Sequence, residues 1–226
     1  MDQKIAAIIP VYLYSPHLEP MLEKITGFIP RERVLIVDDG SPNDISEKAG
    51  KNGFLSLRHH KNLGKGAALR TGFNYWVSRG IEWVITLDGD GQHDPADIPK
   101  FIDALKNLKA DLFIGSRMTN MKNMPFDRQL SNRLTSRVLS LITHQHIEDS
   151  QCGFRLIKLE ALKGINWKEN GFAFESEMIL SFAKRKKKMQ FVPIKTIYFH
   201  DEVSSMQRFK DTLRFLRMIL TTSFRN

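Results

Sequence analysis

The sequence predicts an α/β domain built on a mainly parallel sheet flanked by helices. Three observations lead to that expectation. Short unbroken apolar runs recur along the first half of the chain, as strands buried on both faces require. Segments with apolar residues at helical spacing separate those runs. The chemically distinctive loops follow Val11, Val37, Leu87 and Ile114, beyond strand carboxyl ends, where open parallel sheets bind ligands.

Residues 5–11 (IAAIIPV) form the first buried strand, and residues 16–26 carry a helical pattern. Residues 33–37 make a second strand that runs into Asp38-Asp39-Gly40-Ser41-Pro42, and 54–58 a third. A helix over 62–79 follows from the spacing of Leu63, Ala67, Phe73, Trp76 and Val77, and Gly80 stops it. Residues 82–87 form a strand leading into an aspartate-rich turn, 95–108 a helix, and 111–115 another strand. The second half is less regular, with helices over 127–143 and 171–188 and a strand over 191–199. Near the end, Met206, Phe209, Leu213, Leu216 and Leu220 form one helical stripe bordered by Lys210, Arg214 and Arg217. Such a helix suits either an anionic lipid surface or packing on the core. The expected organisation is a domain over 1–203 and a basic amphipathic helix over 204–226, part of that domain or at a membrane interface.

The chain has 226 residues and a net charge of +9, which attracts polyanions: nucleic acid, anionic lipid or phosphorylated substrates. Aromatic residues are not interleaved with the basic ones as a stacking platform, so no nucleic-acid partner is expected. Cys152 is the single cysteine and cannot form an internal disulfide. No apolar run approaches the ~20 residues of a membrane span, and the first is too short for a signal peptide. These features predict a cytoplasmic protein, at most peripheral on the cytoplasmic face of the membrane.

Asp88-Gly89-Asp90-Gly91-Gln92-His93 carries the clearest chemistry. Two carboxylates two residues apart at a strand end can face one point once glycines let the chain turn. Their oxygens suit Mg²⁺ or Mn²⁺ and leave positions open for substrate phosphates; Gln92 can add a third oxygen. A solvated hairpin turn is the competing reading, but Pro95 begins a helix where a hairpin needs a second strand. At the second strand's end, Asp38 and Asp39 suit a base or ribose, while Ser41 or Asn43 can cap a short helix there. Asn62-Leu63-Gly64-Lys65-Gly66-Ala67-Ala68 opens the long helix, and two readings stand: phosphate contact at a glycine-rich helix start, or packing alone.

These segments occur in one order with Pro10-Val11-Tyr12, Gly115-Ser116-Arg117 and Asp149-Ser150-Gln151-Cys152-Gly153-Phe154-Arg155. Together they resemble family 2 glycosyltransferases, specifically the dolichyl-phosphate mannose synthase-like branch, over nearly the whole chain. The resemblance implies a GT-A fold with a Rossmann-like sheet, a nucleoside-diphosphate sugar donor, a divalent metal and inversion at the anomeric carbon. It implies that Pro10, Tyr12, Asp38, Asp39, Gly64, Lys65, Asp88 and Gly89 contact the donor. Asp88, Asp90 and Gln92 would hold the metal, and Arg117, Arg133, Arg155 and Ser204 the phosphate of a polyprenyl acceptor. Asp90, Arg117 and Asp149 would form the catalytic group, Asp149 as base or acceptor aligner; an Asp149–Arg155 salt bridge is the rival account of that last motif. A soluble or glycan hydroxyl acceptor is the alternative. A sugar nucleotidyltransferase fits less well, because Tyr12-Leu13-Tyr14-Ser15-Pro16 stands where that class has a glycine-rich basic loop. Two departures from the branch stand out: Leu13-Tyr14 replaces its usual Asn-Glu, and His200-Asp201-Glu202-Val203 replaces a late basic loop.

Overall fold

Every residue of the first apolar run is buried in a strand, β1 (Ile5–Val11). The computed structural model describes residues 4–118 and 124–197, so the helix expected over 204–226, and Ser204 with it, lies outside the described residues. β1 pairs in parallel with β2 (Val34–Asp38) on one side and β4 (Trp83–Thr86) on the other, and β3 (Leu55–Arg58) extends the sheet beyond β2. The full order is β3-β2-β1-β4-β6-β5-β7, with β5 at Leu112–Ser116, β6 at Arg155–Lys158 and β7 at Met189–Pro193. Helices α1 (Leu18–Thr26), α2 (Ile45–Lys51), α3 (Lys65–Val77), α4 (Ile98–Asn107), α5 (Phe126–Thr143) and α6 (Ala173–Lys184) flank it.

The expected mainly parallel sheet is present, with one exception that matters for the site. β6 runs antiparallel to both β4 and β5. Its amino end therefore lies at the edge where its neighbours end, which delivers the 149–155 segment to the same rim as the loops after β1, β2, β4 and β5. Sequence reasoning took 149–155 as a motif and saw no strand after it. RLIK is short, and its pattern is that of any half-apolar segment.

The core is aliphatic in the centre, where Ile8, Ile9, Leu35, Ile36, Val84, Ile85 and Ile114 are fully buried, and aromatic under α4, where Phe101 stacks on Phe154 at 4.5 Å between ring centroids. Trp76 ties α3 to the sheet by donating its indole N–H to the Ala7 carbonyl at 3.2 Å. The short helix after β2 is capped by Asp44, whose carboxylate accepts the Glu47 N–H at 2.8 Å, in place of Ser41 or Asn43.

Candidate active site

Asp88 and Asp90 occupy the turn after β4, and Gly89 between them lies against Val11 of β1. Their surroundings differ. Asp88 Oδ1 takes an ion pair from Lys65 Nζ at 2.6 Å, and its Oδ2 lies 3.4 Å from His93 Nε2. Burial alone would raise the pKa of Asp88, but Lys65 and His93 outweigh it and hold the carboxyl well below the usual range. Asp90 has no ion-pair partner among the described residues; its Oδ1 accepts the Gln92 backbone N–H at 2.9 Å. Burial, and then the charge of Asp88, raises its pKa above the ordinary value. This is an oxygen-rich turn carrying one uncompensated, partly buried carboxylate, the environment that a hard divalent cation relieves. Among the described residues no group of three or more His, Cys, Asp or Glu side chains forms a ready-made metal cage. The turn itself supplies two carboxylates, Asp88 and Asp90, whose oxygens suit a hard cation.

Gly153 explains why the 149–155 motif reaches this turn. A Cβ there would sit 2.6 Å from both carboxylate oxygens of Asp88, so no larger residue can let the two loops approach.

At the end of β2 the two aspartates divide their work. Asp39 is almost wholly buried, and its oxygens accept the Leu63 N–H at 2.9 Å and the Gly64 N–H at 2.7 Å, with His59 Nδ1 at 2.7 Å. It ties the loop before α3 to β2, so both of its carboxylate oxygens are engaged within the chain. Asp38 accepts the Ser41 N–H at 2.9 Å through Oδ1, while its buried Oδ2 has no hydrogen-bond donor and only the charge of Arg58 Nε at 3.5 Å. Of the pair, Asp38 retains the unfilled acceptor. Tyr12 is 48 % exposed at this rim, whereas Pro10 is buried within β1.

At the α3 amino terminus the structure shows packing contacts. The Gly66 N–H donates to the Asn170 carbonyl at 2.6 Å, and Ala67 N–H points to the same oxygen at 3.4 Å. Gly64, at φ 99°, is held against that carbonyl where a side chain would collide. The Gly66 and Ala67 N–H groups are therefore already satisfied within the chain. Lys65 instead turns inward, bridging Asp88 and, at 2.7 Å, Glu175 at the start of α6. Sequence reasoning missed Glu175 and His59: both look like ordinary members of a helix and a loop, and only folding brings them to the site.

On the other side, Arg117 and Asp149 meet as a fork. Arg117 Nε reaches Asp149 Oδ2 and Nη2 reaches Oδ1, each at 2.8 Å, and the Arg117 backbone N–H adds a third bond to Oδ2 at 3.1 Å. Asn132 of α5 donates to Oδ1 at 2.8 Å. Burial would raise the Asp149 pKa, but Arg117 outweighs it and lowers it below the ordinary value. A buried carboxylate so occupied is an aligner of Arg117 and a poor base. Arg155 belongs elsewhere. Only 2 % exposed, it donates to the carbonyls of Cys152, Glu175 and Ser150 at 2.8, 2.9 and 3.0 Å. This removes Arg155 from the acceptor-phosphate set and also removes the Asp149–Arg155 salt bridge. Cys152 beside it is buried, with its thiol pushed up to about 12 by desolvation, which leaves no reactive thiolate near neutral pH.

Arg133 and Arg137 lie on the exposed side of α5 and line an open cavity of about 780 Å³ with Met118, Leu141, His146 and Glu148. Along the same helix Phe126, Leu130, Leu134 and Leu141 are 58–75 % exposed.

Residues 6–165 match the family described as Glycosyl transferase family 2. The chain is a family 2 glycosyltransferase. It is 31 % identical over 233 residues to an uncharacterized protein of Methanocaldococcus jannaschii, covering 96 % of this chain and 98 % of that one. It is 30 % identical to UDP-N-acetylglucosamine–dolichyl-phosphate N-acetylglucosaminyltransferase of Methanococcus voltae, covering 87 % of each chain. It is 27 % identical to undecaprenyl-phosphate mannosyltransferase of Micrococcus luteus, covering 84 % of this chain and 82 % of that one. These relatives place the glycosyltransferase in the dolichyl-phosphate mannose synthase-like branch. Glucosyl-3-phosphoglycerate synthase of Mycobacterium tuberculosis, solved with Mn²⁺, UDP-glucose and phosphoglyceric acid, superposes with a TM-score of 0.76 at 14 % identity over 98 % of this chain and 80 % of that one. That likeness establishes the GT-A fold.

Proposed function

We propose that this glycosyltransferase moves a hexose from a nucleoside-diphosphate sugar to the phosphate of a polyprenyl lipid, with inversion and with Mg²⁺ or Mn²⁺. The observation that carries this reading is the rim itself: the Asp88–Asp90 turn and the Asp149-held Arg117 face one sheet edge, beside an arginine-lined cavity under an exposed apolar helix face. Two of the relatives named above are named for transfer to dolichyl or undecaprenyl phosphate, and the mycobacterial neighbour was solved with Mn²⁺ and a UDP-sugar.

Asp88, Asp90 and Gln92 would hold the ion, whose chemistry is to offset the charge of the departing diphosphate. The exposed Tyr12, with Asp38 and its buried Oδ2 that lacks a donor, is assigned to the nucleoside end, while Lys65 and Gly89 border the diphosphate end. An acceptor phosphate is already anionic near neutral pH, so it needs orientation and charge compensation more than a base. Arg117 supplies both, and Asp149 as its positioning residue presents the guanidinium in one orientation. Arg133 is the second cation for that phosphate. The apolar face of α5 suits the hydrocarbon tail, and the net charge of +9 suits an anionic, cytoplasm-facing membrane. Among the described residues no helix is long and apolar enough to cross a membrane.

The test is transfer from radiolabelled GDP-mannose, UDP-glucose and UDP-N-acetylglucosamine to a polyprenyl phosphate in detergent. Label entering an acid-labile lipid fraction only when a divalent ion is present is the expected result. Transfer to water-soluble hydroxyl acceptors with none to the lipid would overturn the acceptor assignment.

A further inference from the structure

Lys65 is the buried cation of the site, and it already occupies one of the two carboxylates to which a divalent ion is assigned. Its ammonium lies 2.6 Å from Asp88 Oδ1 and 2.7 Å from Glu175 Oε1, with 14 % of the side chain exposed. Three chain segments distant in sequence meet at this one nitrogen: the start of α3, the turn after β4 and the start of α6. Glu175 is nearly buried and has no other cationic partner among the described residues. The backbone at Lys65 is fixed on both sides, by Asp39 on Gly64 and by the Asn170 carbonyl on Gly66, so the ammonium can swing only through its own side-chain torsions.

We infer that Lys65 is an internal counter-ion that competes with the divalent cation for Asp88, and that Glu175 is the second carboxylate onto which Lys65 retreats when Asp88 turns to the ion. An ammonium 2.6 Å from a carboxylate oxygen fills the place that a cation would take there, and both cannot be held by Asp88 at full strength. Without Glu175, release of Asp88 would strand a buried ammonium, which is costly. With Glu175 in place, Lys65 keeps one ion pair in either state. Asp90, which has no ion-pair partner among the described residues, is the carboxylate open to the first contact, and Asp88 joins after Lys65 lets go. Glu175 acts through Lys65 and is a positioning residue.

This inference rests on the metal assignment above, and the experiment separates the two. Mn²⁺ binding to the full chain without nucleotide is followed by electron paramagnetic resonance of the free ion, with circular dichroism to confirm the fold. Lys65→Met should tighten binding by about tenfold, because Asp88 is freed, while Glu175→Gln should weaken it, because Lys65 then has only Asp88. A merely structural role for the triad predicts weaker binding in both. A second measurement keeps the wild-type protein: the Lys65 ammonium, identified by loss of its ¹⁵N signal in Lys65→Arg, should shift on titration with Mg²⁺. Equal or weaker binding by folded Lys65→Met, or an ammonium signal unmoved at saturating Mg²⁺, overturns the proposal and leaves the metal assignment standing. No Mn²⁺ binding by the wild type, with or without nucleoside diphosphate, overturns both.

Discussion

Arg117 and Asp149 hold each other through two parallel N–H···O bonds of 2.8 Å, with the Asp149 carboxylate fully buried behind the guanidinium. The fork fixes the plane of Arg117 at the carboxyl end of β5. Replacing Asp149 with Asn keeps the shape but leaves the cation without its partner. Asp149→Asn should lower kcat/KM for the lipid phosphate by about 100-fold with little change in donor KM, read from initial rates against each substrate. Stability should drop by about 3 kcal/mol in a denaturant melt, because breaking a buried pair costs more than the pair itself contributes.

The same pair sets an acid limit. The folded-state pKa of Asp149 is depressed by Arg117, so its contribution to stability is complete above the unfolded carboxylate value and fades as pH falls through the folded one. Wild-type stability should therefore decline below about pH 4, an ordinary carboxylate value. Asp149→Asn should flatten that limb, and a pH series of thermal melts measures the difference. An acid limb of unchanged slope in the variant would show that other carboxylates control it.

Asp90 has the opposite sign. Burial and the charge of Asp88 raise its folded pKa, so its ionisation disfavours the metal-free fold near neutral pH, and stability from this group grows as pH falls. Asp90→Asn should leave the metal-free protein as stable as the wild type or up to about 1 kcal/mol more stable, while turnover falls by at least about 100-fold. The thermal shift that Mn²⁺ plus nucleoside diphosphate gives the wild type should vanish with it. Retained turnover would end the assignment of Asp90 to the ion.

Much of this was legible before folding, and the parts that were not share a cause. Unbroken apolar runs such as 5–11 and 33–37 announce buried parallel strands, and an Asp-Gly-Asp turn between a strand and a proline-led helix announces a ligand loop. Spacing says nothing about which hydrogen bonds a carboxylate spends at home. Asp38 and Asp39 are adjacent and chemically identical, yet one ties down the loop before α3 and the other keeps a buried oxygen without a donor. Gly64-Lys65-Gly66 reads equally as a phosphate contact or as packing, and the Asn170 carbonyl that packs on it lies far along the chain. Arg155 and Arg117 are alike in sequence context, and only burial separates a core tie from a site residue.

Arg155→Met should therefore fail as a fold and not as a binding site. Its guanidinium satisfies three buried carbonyls, and the thioether can satisfy none. A loss of about 3 kcal/mol is expected, with poor soluble yield, and Arg155→Lys should rescue it only in part because an ammonium lacks the planar fork. In whatever fraction folds, KM for the acceptor should stay within about twofold of wild type, since no part of Arg155 faces the rim. A selective rise in acceptor KM would restore its phosphate role.

The exposed face of α5 makes a prediction that separates lipid binding from chemistry. Leu130, Leu134 and Leu141 are 58 %, 62 % and 75 % exposed, so replacing them with Gln removes little buried surface and should change stability by less than about 0.5 kcal/mol each. If this face carries the tail of the acceptor or meets the bilayer around it, the triple variant should lose most transfer to a long polyprenyl phosphate in vesicles containing anionic lipid. Transfer to a short, water-soluble isoprenyl phosphate should persist, because Arg117 and Asp149 are untouched. Flotation of the protein with those vesicles should fall in parallel. Equal loss on the short and long acceptors would place the defect in the rim and not in the helix face, and full retention on both would leave α5 without a part in acceptor recognition.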